Sequence, residues 1–364
     1  MSPIRFNAGV PKRITEDLQA ILGSGRRHDV INLADRLRLP DGLRPLHDRG
    51  RQSLTILGYH RIVPADKLVE YPLDLELVST TPREFKWQMN YIRRHMNPVS
   101  LGAVADALDR GTELPPRAVA ITFDDGFADT YKHAFPILHE LGIPATVFIA
   151  TGFIDSGQPF WFELAAYLMM HAKPNSISVP GMPDGLPTAP SARARRADLH
   201  RLQQFLKASS HRELASITAK WSERLAGLID DASLAAMRPL NWDEISAMAA
   251  NGIEIGSHSV SHPNLAQLSE NELGWELVQS ARTIEARLGR PPATLAYPIG
   301  TPDSFNVGVA GATRESGYRL ALTYLPGTNW SGSIHKFMLR RQGLSLWKNR
   351  AYFRTMMTLP DWIH

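Results

Sequence analysis

Short apolar segments recur along the chain and alternate with longer segments in which apolar residues return every three or four positions. The apolar segments cover residues 54–60, 119–123, 145–149, 253–258, 294–297 and 320–323. Helical spacing is found at residues 81–92, 128–141, 242–250, 269–288 and 308–316. Buried strands that alternate with amphipathic helices are typical of a parallel sheet. We therefore expect an α/β barrel of irregular shape.

Two parts of the chain do not follow this alternation. Residues 1–50 are charged and interrupted by glycine and proline, and we expect a helical N-terminal extension there. Residues 156–239 hold several amphipathic segments and a loop, rich in proline and glycine, between Pro174 and Pro190. This stretch is predicted to be an α-helical insertion. The barrel itself would then consist of residues 51–155 and 240–350.

The composition limits the chemistry that the chain can carry. None of its 364 residues is cysteine, which excludes disulfides, thiolate metal sites and cysteine nucleophiles. Any metal must therefore be held by His, Asp or Glu. The net charge of +4 is a small basic excess for this length, and a solvated surface accounts for it. An arginine-rich run at residues 193–201 offers only charge, so we expect a solvated helix face or contact with lipid phosphate, and no nucleic-acid partner.

Targeting signals are not evident in the sequence. The N-terminal residues contain no apolar core of a secretory signal, and no apolar run reaches the roughly 18 residues of a spanning helix. We therefore expect a cytoplasmic protein, with peripheral contact at the inner membrane as an open possibility.

Asp124 and Asp125 follow the apolar segment 119–123 and precede Gly126. In an α/β barrel, the active site lies at the carboxyl ends of the strands. Adjacent side chains diverge where a chain leaves a strand, so one carboxylate can bind a metal while the other accepts a proton from water. Taken alone, an Asp-Asp-Gly sequence is more often a turn.

His258 and His262 also follow a predicted strand and are four residues apart. In a helical turn, this spacing puts two imidazoles on one side, where both can bind one metal. Two histidines at this spacing often arise by chance. Their combination with Asp124 and Asp125 is a stronger signal, because two histidines and one aspartate with open positions form a catalytic rather than a structural metal site.

Three segments together resemble the first three motifs of the polysaccharide deacetylase (NodB-like) family, carbohydrate esterase family 4. They are ITFDDG at residues 121–126, SHSVSH at 257–262 and AYPIG at 296–300. The resemblance covers roughly residues 54–155 and 240–345. It implies a distorted (β/α) barrel, a divalent metal with zinc as the first candidate, and the hydrolysis of N-acetyl groups.

The resemblance also implies roles for individual residues. Asp124 would be the general base, and the metal ligands would be Asp125, His258 and His262. The backbone N–H of Ile299, in the third motif, would help to hold the oxyanion. Tyr297 and Pro298, in the same motif, are predicted to contact the substrate.

Two departures from the family pattern leave roles open. The third motif begins with Ala296, where many members carry an arginine that orients the base, so another group would have to do this, and Arg340 and Arg341 are candidates. The family's late histidine, which protonates the leaving amine, is not evident. We prefer His60 as this acid over His335, because a similar Tyr-His pair follows the first strand in members whose strand order looks permuted. A strand-end histidine bonded to the backbone is the alternative for His60.

Several residues outside the motifs have two interpretations. Trp161, in an aromatic cluster at the start of the insertion, is predicted to stack on a sugar ring, although such clusters more often belong to the core. Trp330 would face the site or pack inside. Asp129 would support the site from one helical turn away, or complement the N-terminus of its own helix. Glu163 is expected to be an ordinary helix residue.

The sequence therefore predicts a metal-dependent hydrolase that removes N-acetyl groups from an amino-sugar-containing saccharide. Without an evident signal, a lipid-linked saccharide precursor or a nucleotide sugar is expected as the substrate rather than a finished extracellular polymer, in the biosynthesis of a bacterial surface polysaccharide or of a lipid-linked saccharide. One alternative is an amide or imide hydrolase whose substrate is not a sugar. Another is a carbohydrate-binding barrel that has lost its chemistry, which would explain the missing arginine but not the intact aspartates and histidines.

Overall fold

The computed structural model describes residues 31–33, 35, 52–69, 71–171 and 191–360 of the chain. Most of the predicted N-terminal extension and the loop between Pro174 and Pro190 lie outside these residues. Of the extension, the described helical residues 31–33 and 35 lie against the end of the chain, because Ile31 joins the barrel's core cluster and Asp35 pairs with Arg354.

Eleven strands occur in the described residues. They are β1 (Ser53–Tyr59), β2 (Arg61–Ile62), β3 (Val78–Thr80), β4 (Asn97–Pro98), β5 (Ala118–Phe123), β6 (Thr146–Ile149), β7 (Glu254–Ser257), β8 (Thr294–Ala296), β9 (Leu320–Leu322), β10 (Asn329–Trp330) and β11 (Gln342–Gly343).

Twelve α-helices of four residues or more are described as well. They are α1 (Pro82–His95), α2 (Leu101–Arg110), α3 (Phe135–Leu141), α4 (Thr151–Ser156), α5 (Trp161–His171), α6 (Ala192–Ala208), α7 (His211–Leu225), α8 (Asp231–Met237), α9 (Trp242–Ala250), α10 (Glu270–Leu288), α11 (Val307–Glu315) and α12 (Arg350–Thr358). Short 3₁₀ turns lie at Ala65–Lys67, Leu75–Leu77 and Leu265–Gln267.

The main sheet is a curled, largely parallel sheet. Strands β1, β5, β6, β7, β8 and β9 are parallel neighbours in that order. Residues 339–343 connect the two outer strands of this series, because Leu339 bridges to Leu322 of β9 and β11 pairs with β1. The predicted α/β fold with a distorted barrel is thereby confirmed, and each of its six predicted strands ends within one residue of the observed position.

Each long strand contributes side chains to two apolar layers, because successive side chains of a strand point to opposite faces of the sheet. Leu57, Tyr59 and Ile121 belong to a cluster shared with the outer helices α1, α3, α9 and α10. The intervening side chains, such as Ile56 and Ala120, belong to a second cluster inside the sheet's curve. Phe148 fills this interior, and Gly256 makes room for it, since a Cβ on Gly256 would lie 2.4 Å from the phenyl ring.

One predicted helix is different in the structure. Residues 128–141 do not form a continuous α-helix, because a π-helical turn at Thr130–Ala134 precedes α3. Pro136 lies at the start of α3 and has no N–H to donate to the preceding turn, which favours the break. Helices α2, α4 and α12 were not predicted.

The insertion is helical in its described part. Helices α5, α6, α7 and α8 share an apolar cluster that includes Leu202, Leu206 and Trp221, and this cluster extends to residues 63–78 and to Phe127 of the barrel. The arginine run is not a uniformly solvated face, since Arg195 donates to the carbonyls at Met169 and Met170, at the end of α5. Among the described helices, none is long and apolar enough to cross a membrane.

Candidate active site

Polar side chains meet in a cleft where the parallel strands end. His60 follows β1, Asp124 and Asp125 follow β5, His258 follows β7, and Tyr324 lies just beyond β9. All of them line one cavity of about 260 Å³, to which the insertion contributes one wall. The carboxyl ends of barrel strands are where such folds place their active sites.

Asp125, His258 and His262 form a compact group of potential metal ligands. The Oδ1 atom of Asp125 lies 3.4 Å from Nε2 of His258 and 3.3 Å from Nε2 of His262. The Nδ1–H of His258 can donate to the Ala296 carbonyl at 2.7 Å, which leaves Nε2 free as a ligand atom. The three ligand atoms lie within 4.8 Å of one another and all three side chains are buried, so this donor set fits a single divalent ion.

The loop that carries the two histidines is not a helical turn, contrary to one basis of the prediction. Residues 258–264 have no helical structure, and Ser259 and His262 have φ values of 66° and 55°. The buried carboxylate of Glu276, on α10, holds this loop by accepting from the backbone N–H groups of Val260 and Ser261 at 2.7 and 3.0 Å. Sequence reasoning missed Glu276, because it lies in the middle of a regular helix.

Asp125 and Ile299 each occupy the centre of a tight three-residue turn. The N–H of Gly126 donates to the Asp124 carbonyl at 2.9 Å, and the N–H of Gly300 donates to the Pro298 carbonyl at 2.7 Å. The central residues have φ values of 70° for Asp125 and 66° for Ile299. Such left-handed conformations are costly for residues other than glycine and cluster at functional sites.

Asp124, the predicted base, is oriented by Arg341. The Nη1 atom of Arg341 donates to Oδ1 of Asp124 at 2.6 Å, and its Nε–H donates to the Thr323 carbonyl at 2.7 Å. Arg341 belongs to the segment that joins β9 to β1, so it reaches the cleft from a different part of the barrel than Ala296 does. Arg340 points elsewhere, to the Pro326 carbonyl.

His60 is the histidine that lies beside the base. Its Nε2 atom lies 4.0 Å from Oδ2 of Asp124, and its Nδ1 atom lies 3.3 Å from the hydroxyl of Tyr324. His335, the alternative, is exposed and is not among the described residues that line the cleft. Tyr324 was missed by sequence reasoning. The glycine at position 343 beside it is a weak signal, since a Cβ there would lie 2.8 Å from the ring.

Burial and neighbouring charges set the protonation of the site. Burial alone would raise the pKa of the Asp124 carboxyl, but Arg341, His258 and His60 together hold that pKa below its usual range. Burial likewise opposes ionisation of Asp125, yet the imidazoles of His258 and His262 beside it bring its pKa well below the usual value. The pKa of His60 is lowered, mainly because burial disfavours its charged form. Both aspartates are therefore ionised at neutral pH.

Of the residues predicted to contact the substrate, three line the cleft and one does not. Trp161 and Ile299 line the cleft, as does Tyr297, although the Tyr297 hydroxyl donates to the Phe337 carbonyl and its ring stacks on Phe305. Pro298 is buried and is not among the described lining residues, so it shapes the loop without forming part of the wall.

One predicted aromatic residue lies outside the cleft, and two unpredicted polar residues line it. Trp330 does not face the cleft, because it pairs with Ser53 at the opposite end of β1 from His60. The insertion instead contributes Gln203 and Lys207 to the wall, neither of which had been predicted.

Glu163 is not an ordinary helix residue. It is fully buried, and its carboxylate lies 3.5 Å from Nε of Arg61, which also lies 3.7 Å from Asp129. Arg61 stacks on Phe127 and donates to the Tyr71 hydroxyl at 2.7 Å. Burial raises the pKa of Glu163 to about 7 and that of Asp129 to about 6. This cluster joins the barrel to the insertion.

A curled parallel sheet with one Asp-His-His group and a second, arginine-bound carboxylate at its strand ends defines an α/β-barrel hydrolase. The chain belongs to the polysaccharide deacetylase family, whose profile matches residues 111–321. This match confirms the family resemblance of the three motifs.

The individual proteins that the chain resembles include two that are named as deacetylases. The poly-β-1,6-N-acetyl-D-glucosamine N-deacetylase of Staphylococcus epidermidis is 28% identical over 220 residues, which are 57% of this chain and 72% of that protein. The structure of the Streptococcus pyogenes deacetylase PplD, in complex with acetate, aligns with a TM-score of 0.56 at 19% identity and covers 84% of this chain and 99% of that one. IcaB from Ammonifex degensii aligns with a TM-score of 0.52 at 18% identity and covers 83% and 97%, respectively. At these identities, the two structures support the fold alone.

Proposed function

We propose that the protein is a metal-dependent N-deacetylase that removes acetyl groups from N-acetylglucosamine residues of a polysaccharide. One observation carries the proposal. A group of potential metal ligands lies in the same cleft as Asp124, a separate carboxylate that is hydrogen-bonded to Arg341. The substrate class is supported by the name of the Staphylococcus epidermidis relative.

Asp125, His258 and His262 would hold the ion, because they are the described residues that offer three ligand atoms close together. When bound, a divalent metal supplies Lewis acidity for the amide carbonyl and for water. Zinc is our first choice, since two imidazoles and one carboxylate are ligands that zinc accepts readily.

The chain's own groups would perform the proton transfers. Asp124 is ionised and accepts the proton of the attacking water as the new C–O bond forms. Arg341 holds one oxygen of Asp124, which leaves Oδ2 for this transfer. The N–H of Ile299 donates to the oxygen of the tetrahedral intermediate. His60 in its protonated form, whose share its lowered pKa limits, then delivers a proton to the amine nitrogen as the C–N bond breaks, and acetate and a free amine result.

The test is acetate release from β-1,6-linked N-acetylglucosamine oligomers by purified protein, with and without a chelator. We expect release that stops on chelation and returns with added zinc. Asp124→Asn should lose at least 100-fold in kcat while it keeps its metal content, and Asp109→Asn, an exposed aspartate bound to Lys336 and Arg319, should leave turnover unchanged.

Other outcomes would favour the alternatives. Turnover of small cyclic imides without acetate release would indicate an amide hydrolase for non-sugar substrates. Oligomer binding without turnover at full metal content would indicate a binding protein. Two expectations stay predictions. A lipid-linked substrate would be tested by acetate release from lipid-linked saccharides. A cytoplasmic location with peripheral membrane contact would be tested by cell fractionation.

A further inference from the structure

Two buried polar atoms next to the cleft have no hydrogen-bond partner among the described residues. They are the indole Nε1 of Trp161 and the Nδ1 of His262. Trp161, on the insertion, is only 2% exposed, and His262 is 6% exposed. Both residues line the same small cavity, whose volume is about 10 Å³. Buried donors without partners are rare in proteins and call for a ligand or a water molecule.

The chemistry of the two atoms points to the same kind of partner. An indole nitrogen is a donor only. A neutral histidine that offers Nε2 to a metal carries its proton on Nδ1, so His262 is a donor there as well. The other ligand histidine, His258, meets this requirement directly, since its Nδ1 faces the Ala296 carbonyl at 2.7 Å. His262 has no equivalent carbonyl among the described residues.

A single water molecule in this cavity can accept a hydrogen bond from each of the two donors. Its oxygen has two lone pairs, one for each N–H, and a volume of about 10 Å³ holds about one water. The cavity is also lined by Gln267 and by Asn264, whose side-chain oxygen accepts from the Ala266 N–H at 3.1 Å and keeps a second lone pair. A buried water with two to four polar partners is a common and stable structural element.

We infer that an ordered water in this cavity bridges Trp161 Nε1 and His262 Nδ1, and that Trp161 is a positioning residue for the metal ligand His262. The inference rests on the proposed metal site. It gives the insertion a role in metal binding, because the indole that holds the bridging water in place comes from α5. The Phe162 ring, 5.2 Å from that of Trp161 and 5.4 Å from that of His262, restrains both rings.

Metal affinity is the first measurement. Competition between the apoprotein and a chromophoric zinc chelator gives the Kd of the wild type and of Trp161→Phe, which keeps a ring but removes the N–H. We expect the variant to bind zinc about 10- to 100-fold more weakly, the usual cost of losing an outer partner of a ligand histidine. The matched control is Trp221→Phe, a buried tryptophan of the same insertion cluster that does not line the cavity, and we expect its Kd to be unchanged.

A crystal structure of the zinc-loaded wild type is the second measurement, and it does not depend on how the variants fold. One water within hydrogen-bond distance of both Nε1 of Trp161 and Nδ1 of His262 is the expected result. No water there, or equal zinc affinity of Trp161→Phe and wild type, would overturn the inference. Failure of the wild type to bind zinc would instead contradict the proposed function, so the two failures can be told apart.

Discussion

Arg341 holds one carboxylate oxygen of Asp124 at 2.6 Å, and His60 faces the other oxygen of the same group at 4.0 Å. The two oxygens of the base therefore have different neighbours. A charged hydrogen bond fixes the orientation of the carboxylate and disfavours its protonated form. The second oxygen stays available toward the cleft, beside the group that we propose as the acid.

Replacement of Arg341 tests this arrangement. Arg341→Met keeps much of the side chain's length and removes the charge, so the pKa of Asp124 should rise. We expect kcat/KM to fall about 10- to 100-fold, which corresponds to the 1.5–3 kcal/mol of a charged hydrogen bond. The acid limb of the pH–rate profile should move to higher pH, because the base is protonated more easily.

Arg340→Met is the control for the neighbouring arginine, which contacts the Pro326 carbonyl and not the base. It should leave both kcat/KM and the acid limb in place. An Arg341→Met variant with an unchanged acid limb would contradict the proposed influence of Arg341 on Asp124.

The example of Arg341 shows what the sequence could and could not predict. Strand ends are local features, so Asp124, Asp125, His258 and the fold itself could be predicted from periodicity and motifs. The partner of Asp124 depends on how the segment 339–343 enters between β9 and β1, which is a long-range property of the barrel. The sequence suggested Arg340 and Arg341 only as candidates for this partner, and the structure distinguishes them.

Contacts between a helix and a distant segment of the barrel were the least predictable feature of the site. Glu276 supports the histidine loop, and Glu163 faces Arg61, yet each lies in a regular helical pattern that indicates only a helix. Their burial follows from the packing of α10 and α5 against the barrel. Local spacing contains no information about such packing, and for this reason Glu163 was interpreted wrongly.

Tyr324 should support the acid. If the protonated ring of His60 donates from Nδ1 to the Tyr324 hydroxyl, that contact stabilises the charged form needed for proton donation. Tyr324→Phe should therefore lower the pKa of His60 further and move the basic limb of kcat to lower pH, with a loss of about 3- to 10-fold in kcat near pH 8 and little change in KM.

Tyr318→Phe is a suitable control, because this tyrosine is also buried and donates to the Leu277 carbonyl, and it is not among the described residues that line the cleft. It should not move the basic limb. If Tyr324→Phe and Tyr318→Phe give the same pH profile, the contact between Tyr324 and His60 has no role in proton donation.

Glu276 should control metal affinity through the histidine loop. Its carboxylate accepts hydrogen bonds from the N–H groups of Val260 and Ser261, and it also accepts from the Ser261 hydroxyl at 2.5 Å. Glu276→Gln replaces one acceptor oxygen by a donor, so at least one of these bonds is lost. We expect zinc to bind about 10-fold more weakly in the chelator competition, with a fall of about 1–3 kcal/mol in the free energy of unfolding.

Glu272→Gln changes the same helix near its exposed N-terminus, where Glu272 forms a capping box with Ser269. This control should lose some stability but no zinc affinity. Equal zinc affinity in the two variants would show that the loop holds its histidines without Glu276.

Glu163 should make the stability of the protein depend on pH. Burial raises its pKa from 4.5 to about 7 in the folded state, although Arg61 acts in the opposite direction. Between these values the folded state binds more protons than the unfolded state, so the free energy of unfolding falls as the pH rises through this window. Each pKa unit corresponds to about 1.4 kcal/mol, so the fall is a few kcal/mol at most.

Glu163→Gln removes this titration, and urea unfolding at pH 5 and pH 8 measures the effect. The difference in unfolding free energy between variant and wild type should shift in favour of the variant at pH 8. Asp129, whose pKa is also raised, is present in both proteins but its charge acts on Glu163, so the shift measures Glu163 together with this neighbour. For Glu213→Gln, which removes an exposed capping carboxylate whose pKa is lowered by Ser210, the difference should be the same at both pH values. If the free energies of unfolding of Glu163→Gln and wild type change equally between pH 5 and pH 8, Glu163 stays ionised beside Arg61 across this range.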